Sequence, residues 1–285
     1  MLRGALVALA LVASAGLPAS SADDVPDAAG DPVRGKAIAD LASCASCHTA
    51  DDGVPYAGGH GIVTDFGTFY GTNLTPDVEH GIGDWTFADF QRAMRHGKGP
   101  DGTRLWPAFP FTSFQRIDDR DLHDLWAYLR SLPPSPTENR AHETGRGRWQ
   151  LRFWRALAFR DRGVFEPDPD ATAEENRGHY LVDAIGHCGE CHTPRGGLGG
   201  LKQRRYLGGS DTEPEPGPNL TPSKAGLGDW TLDDWTTFLE LGMTPDGDFV
   251  GGQMGRVIEE GTSQLSQEDR RAIGVYLMGI EPVGK

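Results

Sequence analysis

Apolar residues along this chain recur at intervals of three and four rather than two. Leu122, Leu125, Trp126 and Leu129 fall on one face of a helix, and Ile273, Tyr276 and Leu277 do the same near the far end. Asp31-Pro32 pairs a capping side chain with proline at the first helical position, which predicts a helix running towards Cys44. Thr86-x-x-Asp89 and Thr231-x-x-Asp234 read as capping boxes, with Asp in place of the usual Glu. The helices that they open should end at Gly97 and Gly242, where a left-handed residue is expected. No segment alternates with the period of a strand. The pattern predicts an all-α chain whose helices are separated by glycine-rich loops, in keeping with its 39 Gly and 20 Pro.

These elements occur twice. Arg34-Gly35 is answered by Arg177-Gly178, and Asn73-Leu74-Thr75-Pro76 by Asn219-Leu220-Thr221-Pro222. Gly83-Asp84-Trp85-Thr86 returns as Gly228-Asp229-Trp230-Thr231, and Pro100-Asp101-Gly102 as Pro245-Asp246-Gly247, both at an offset of 145 residues. A length of 285 residues suits two domains. The boundaries implied are 31–132 for the first unit, 133–172 for a connector and 173–282 for the second.

All four cysteines lie in two copies of one motif, Cys44-Ala45-Ser46-Cys47-His48 and Cys188-Gly189-Glu190-Cys191-His192. Cys-x-x-Cys-His is the attachment signature of c-type haem. Two thiols at that spacing reach the two vinyl groups of one porphyrin, and the following imidazole becomes the proximal iron ligand. A thioredoxin-like pair needs no following histidine, structural zinc pairs lie much closer in sequence, and two disulfides would leave the histidines unexplained. The expectation is two covalently attached haem c groups, on Cys44, Cys47 and His48 and on Cys188, Cys191 and His192.

With those motifs in hand, the chain resembles the dihaem and trihaem c-type cytochromes of bacterial periplasmic dehydrogenases. It is most similar to the cytochrome c subunit of alcohol, gluconate and aldehyde dehydrogenase complexes. The stretches that carry the likeness are Thr72 to Asp77, Gly81 to Trp85, Gly186 to Pro194 and Asp246 to Gly252. The resemblance implies two tandem cytochrome c domains with loop-rich haem crevices. It also implies a periplasmic dehydrogenase as electron donor and a redox protein as acceptor. The alternative is a dihaem oxidoreductase acting on thiosulfate or peroxide at the first haem.

The second haem has an evident sixth ligand in Met254, whose neutral thioether sits in a glycine-rich loop where related cytochromes place theirs. At the offset of 145 the first unit has Phe109 in its place, and phenylalanine cannot ligate iron. Either the first haem is five-coordinate or another residue reaches its iron. The sealed version is the one expected, with Met94 and His96 on the preceding helix as candidates and His60 and His80 on loops. His187 reads as a packing residue.

The connector between the units contains Arg140, Arg146, Arg148, Arg152, Arg155, Arg160 and Arg162. Trp149, Phe153, Trp154 and Leu157 are spaced to share one apolar helical face. That face is expected to dock the two units together, or else to present a basic surface to a dehydrogenase. Residues 1–22 read as a secretory signal: Arg3, a short apolar run, then Ser20-Ser21-Ala22. The expected product is exported, periplasmic and soluble, with no integral membrane segment after cleavage. With 27 Lys+Arg against 41 Asp+Glu the formal net charge is −14, which excludes nucleic acid as a natural partner.

Overall fold

A computed structural model describes residues 30–211 and 216–284. The expected signal over 1–22 lies outside the described residues. Helix α1 (Pro32–Leu41) starts where it should, the Asp31 carboxylate accepting from the N–H groups of Val33 and Arg34. It packs across α5 (Asp119–Ser131), and in the second half α7 (Ala173–Tyr180) packs across α11 (Gln267–Gly279). Glycine sets both crossings. A Cβ at Gly35 would collide with the carbonyl oxygen of Asp124, and one at Gly178 with that of Ala272. The arginine before each glycine then ties the pair, Arg34 Nε lying 2.6 Å from Asp124 Oδ2 and Arg177 Nε 2.8 Å from Asp269 Oδ1. The repeated Arg-Gly dipeptide is thus a close crossing and its polar clasp.

Between the paired helices lie α2 (Cys44–His48), α3 (Phe87–His96) and α4 (Phe111–Phe114). Their second-half counterparts are α8 (Gly189–His192), α9 (Leu232–Leu241) and α10 (Gly252–Glu260). Both capping boxes form, and α3 and α9 end at Gly97 and Gly242 with φ of 56° and 73°. One buried cluster runs through both halves, joining Leu41, Leu122 and Leu125 to Leu181, Leu207 and Ile273.

The all-α expectation needs one correction. Strands β1 (Gly61–Thr64) and β2 (Gly67–Tyr70) form an antiparallel hairpin, with Ile62 opposite Phe69. Ile62-Val63-Thr64 and Thr68-Phe69-Tyr70 are β-branched and aromatic, which favours strands. Four residues a side is too short for alternation to show.

The connector also departs from expectation. Its helix α6 (Leu151–Leu157) turns Leu151 inwards against Phe69 and Trp106, and Trp154 Nε1 donates to the Leu198 carbonyl. Trp149, Phe153 and Leu157 face outwards, 63%, 61% and 65% exposed. The apolar face that was to join the units is therefore mostly on the surface. Among the described residues no helix is long and apolar enough to cross a membrane.

Candidate haem-attachment sites

Each Cys-x-x-Cys-His motif occupies about one helical turn, and each is entered through a strained residue. Ser43 and His187, the residues before the first cysteines, have φ of 49° and 39°. A left-handed backbone without glycine is costly and persists only where its surroundings enforce it. Finding it at the same point of both motifs marks the two as one device.

The histidines are aimed by main-chain carbonyls. His48 Nδ1 lies 2.6 Å from the carbonyl oxygen of Thr72, and His192 Nδ1 lies 2.9 Å from that of Pro218. With Nδ1–H donating, each ring has its Nε2 lone pair available for a metal. Burial lowers both imidazole pKa values, and the backbone hydrogen bonds oppose it only in part. The rings are neutral at pH 7, as iron ligands must be.

Those carbonyls are themselves fixed. Asn73 Oδ1 accepts from the backbone N–H and hydroxyl of Thr75 at 2.9 and 2.7 Å, while its Nδ2 donates to the carbonyls of Ser135 and Thr137. Asn219 repeats the arrangement, accepting from Thr221 and donating to Val283. Just ahead, Gly71 and Gly217 lie so close to the carbonyls of Cys47 and Cys191 that neither position has room for a Cβ.

The thiols do not resemble activated nucleophiles. Burial pushes those of Cys44 and Cys188 up to about 12, and that of Cys47 upwards too. A thioredoxin-like cysteine works through a lowered pKa. No disulfide joins any of the four. Among the described residues no three His, Cys, Asp or Glu side chains converge as a metal cluster, so the cysteine pairs do not build a shared zinc site. Paired thiols one turn apart, with an oriented neutral imidazole directly after them, are the donor set that a covalently held haem takes.

The candidate sixth ligands are scattered. Met254 is half-buried on α10, and Met94 is buried in the core on α3. His96 is exposed at the end of α3, where its carbonyl accepts from Arg155. Phe109 is half-buried against the core, its ring 5.6 Å from that of Phe114. His60 and His80 lie in loops, at 3.9 Å from Asp51 and 4.0 Å from Glu79. His187 places Nδ1 3.1 Å from the Ile185 carbonyl and its ring 5.2 Å from that of Phe114.

Two polar clusters between the halves escaped sequence reasoning. Glu190, inside the second motif, accepts from the hydroxyls of Thr112 and Ser113 at 2.6 and 3.0 Å and pairs with Arg195 at 2.7 Å. Burial acts to raise its pKa, but Arg195 and the Thr112 hydroxyl hold it below the usual range. Asp183, buried beneath the second motif, takes Arg116 at 2.6 Å, Arg162 at 3.1 Å and the Tyr206 hydroxyl at 2.9 Å. A lone acid in the apolar run Leu181-Val182-Asp183-Ala184-Ile185 was the available signal.

Residues 32–133 match the cytochrome c family. Over 89% of its length the chain is 42% identical to a diheme cytochrome c-type protein of Cereibacter sphaeroides, covering 87% of that protein. It is 39% identical over 88% of its length to the cytochrome c subunit of the quinone alcohol dehydrogenase of Gluconobacter oxydans, and spans 55% of it. It is 36% identical over 87% of its length to the cytochrome c subunit of the gluconate 2-dehydrogenase of Pantoea cypripedii, of which it spans 59%.

Proposed function

The chain belongs to the c-type cytochromes, in the group that contains diheme cytochromes and the cytochrome c subunits of dehydrogenases, and on that footing we propose that it is a periplasmic two-haem electron carrier. It takes electrons singly from a dehydrogenase partner and delivers them to a downstream redox protein. Cytochrome c units over 31–132 and 173–282 are joined by the connector at 133–172. Cys44, Cys47 and His48 would hold the first haem. Cys188, Cys191 and His192 would hold the second, with Met254 as the further side chain that would ligate its iron. The bound irons supply the one-electron redox change.

The protein's share is positioning. The carbonyls of Thr72 and Pro218 keep each imidazole in one tautomer and one orientation, so that little needs to rearrange around the metal when charge is added or removed. The observation that carries the reading is this twofold hydrogen bond behind a twofold Cys-x-x-Cys-His motif.

The connector supports the choice of partner. Trp149, Phe153 and Leu157 are exposed among Arg146, Arg148, Arg152 and Arg160, on a chain whose net charge is −14. Aromatic anchors ringed by arginine are typical of protein docking sites. They fit an acid-rimmed surface on the dehydrogenase.

The test is a haem count on protein expressed with the c-type maturation machinery, by pyridine haemochrome and intact mass. The wild-type chain should hold two haems, and the double variant Cys188→Ala/Cys191→Ala one. A wild-type chain with one haem or none would refute the proposal.

A further inference from the structure

We infer that the first haem has no side chain on its sixth position, and that this face is an apolar site for a small neutral diatomic ligand. The inference rests on the two-haem reading above and extends it to the coordination of one iron.

The two units place their distal loops in register. Leu105 N–H donates to the Gly97 carbonyl and Val250 N–H to that of Gly242, each at 2.8 or 2.9 Å. Gly99 bonds to Thr103 as Thr244 does to Asp248, and the isolated bridge Lys98–Arg104 is matched by Met243–Phe249. Every one of these pairs keeps the offset of 145. Four residues beyond the last of them, the second unit has Met254 and the first has Phe109. A benzene ring has no lone pair to give to iron.

Neither candidate on the preceding helix is built to take the methionine's place. Met94 corresponds to Leu239, and both are buried, at 5% and 4% exposure. The second unit fills that position with a leucine although it has its own methionine, so the position asks for apolar volume rather than a thioether. Leu and Met exchange readily in cores on volume alone. His96 corresponds to Leu241, and both are exposed. Of the remaining histidines, His123 stacks on Phe87 at 3.7 Å, His179 stacks on Tyr276 at 4.7 Å and His142 Nδ1 accepts from the Tyr70 N–H.

The chemistry of that face follows from what surrounds Phe109. Its ring lies 6.4 Å from that of Phe111 and 5.6 Å from that of Phe114. The two rings offer a ligand no hydrogen bond, and a neutral diatomic, which is weakly hydrated, loses little on entering such surroundings. Carbon monoxide is therefore the probe, added to the reduced full-length protein, with spin state read by EPR on the oxidised form.

The expected result is one high-spin and one low-spin haem per chain, and one carbon monoxide bound per chain. Phe109→Met should supply the missing thioether, turn the first haem low-spin and abolish carbon monoxide binding. Met94→Leu, His96→Gln, His60→Gln and His80→Gln should leave the wild-type spectra unchanged. Two low-spin haems in the wild type, neither binding carbon monoxide, would overturn the inference while leaving the electron-carrier reading intact. Two low-spin haems in the wild type, one of them lost in any of these variants, would overturn it and name the ligand. Fewer than two haems per chain would remove the reading beneath it.

Discussion

Asn73 and Asn219 hold the segments whose carbonyls aim the two histidines. Asn73→Ala strips Thr75, Ser135 and Thr137 of buried partners, and should cost about 1–3 kcal/mol in denaturant unfolding. It should also broaden the spectrum of the first haem while leaving that of the second unchanged, a local effect that a general loss of stability does not produce. Asp124 makes a prediction about pH. Burial acts to raise its pKa, but hydrogen bonds from Arg34 and the Asp31 N–H hold the carboxyl below its ordinary value. A depressed carboxylate adds stability above its unfolded value of about 3.9, and that stability is lost as pH falls through the folded value. Unfolding titrations should therefore lose stability below about pH 4 in the wild type, and Asp124→Asn should flatten that limb.

At the scale of elements, the helix pairs α1–α5 and α7–α11 each depend on one glycine. Gly35→Ala and Gly178→Ala should each cost about 1–3 kcal/mol, because the added methyl group meets the main chain of the facing helix rather than a movable side chain. Thermal unfolding of the two variants checks this, and a neutral result at either would remove the crossing from the account. These helices, their caps and their terminal glycines were legible in the sequence because each depends on neighbours within one or two turns. The hairpin was not, since Thr68 and Glu143 exchange main-chain hydrogen bonds across a long stretch of chain. The connector was legible as a helix but not in its facing. Leu151, whose burial decides which side turns inwards, finds Phe69 and Trp106 only in three dimensions. Phe153→Asp with Trp149→Ser should slow reduction by the dehydrogenase at least tenfold and leave the folding transition in place. An unchanged rate would take the docking role from α6.

The two halves meet through buried charge as well as apolar contact. Asp183 holds Arg116 and Arg162, and Glu190 holds Thr112 and Ser113 on α4. Asp183→Ala strands two guanidinium groups and should cost about 3 kcal/mol, with one unfolding transition separating into two if this cluster couples the units. No sequence pattern could reveal these partners, which are far apart along the chain, whereas the haem-binding motifs were plain because their chemistry is local. The same separation explains why the repeat exposed Phe109 yet not its surroundings. On the proposed function the chain holds two irons and passes electrons one at a time. A potentiometric titration of the full-length protein, followed by haem absorbance, tests this most directly. Two one-electron steps per chain are predicted, of which Cys188→Ala/Cys191→Ala should remove one. A single one-electron step in the wild type would contradict it.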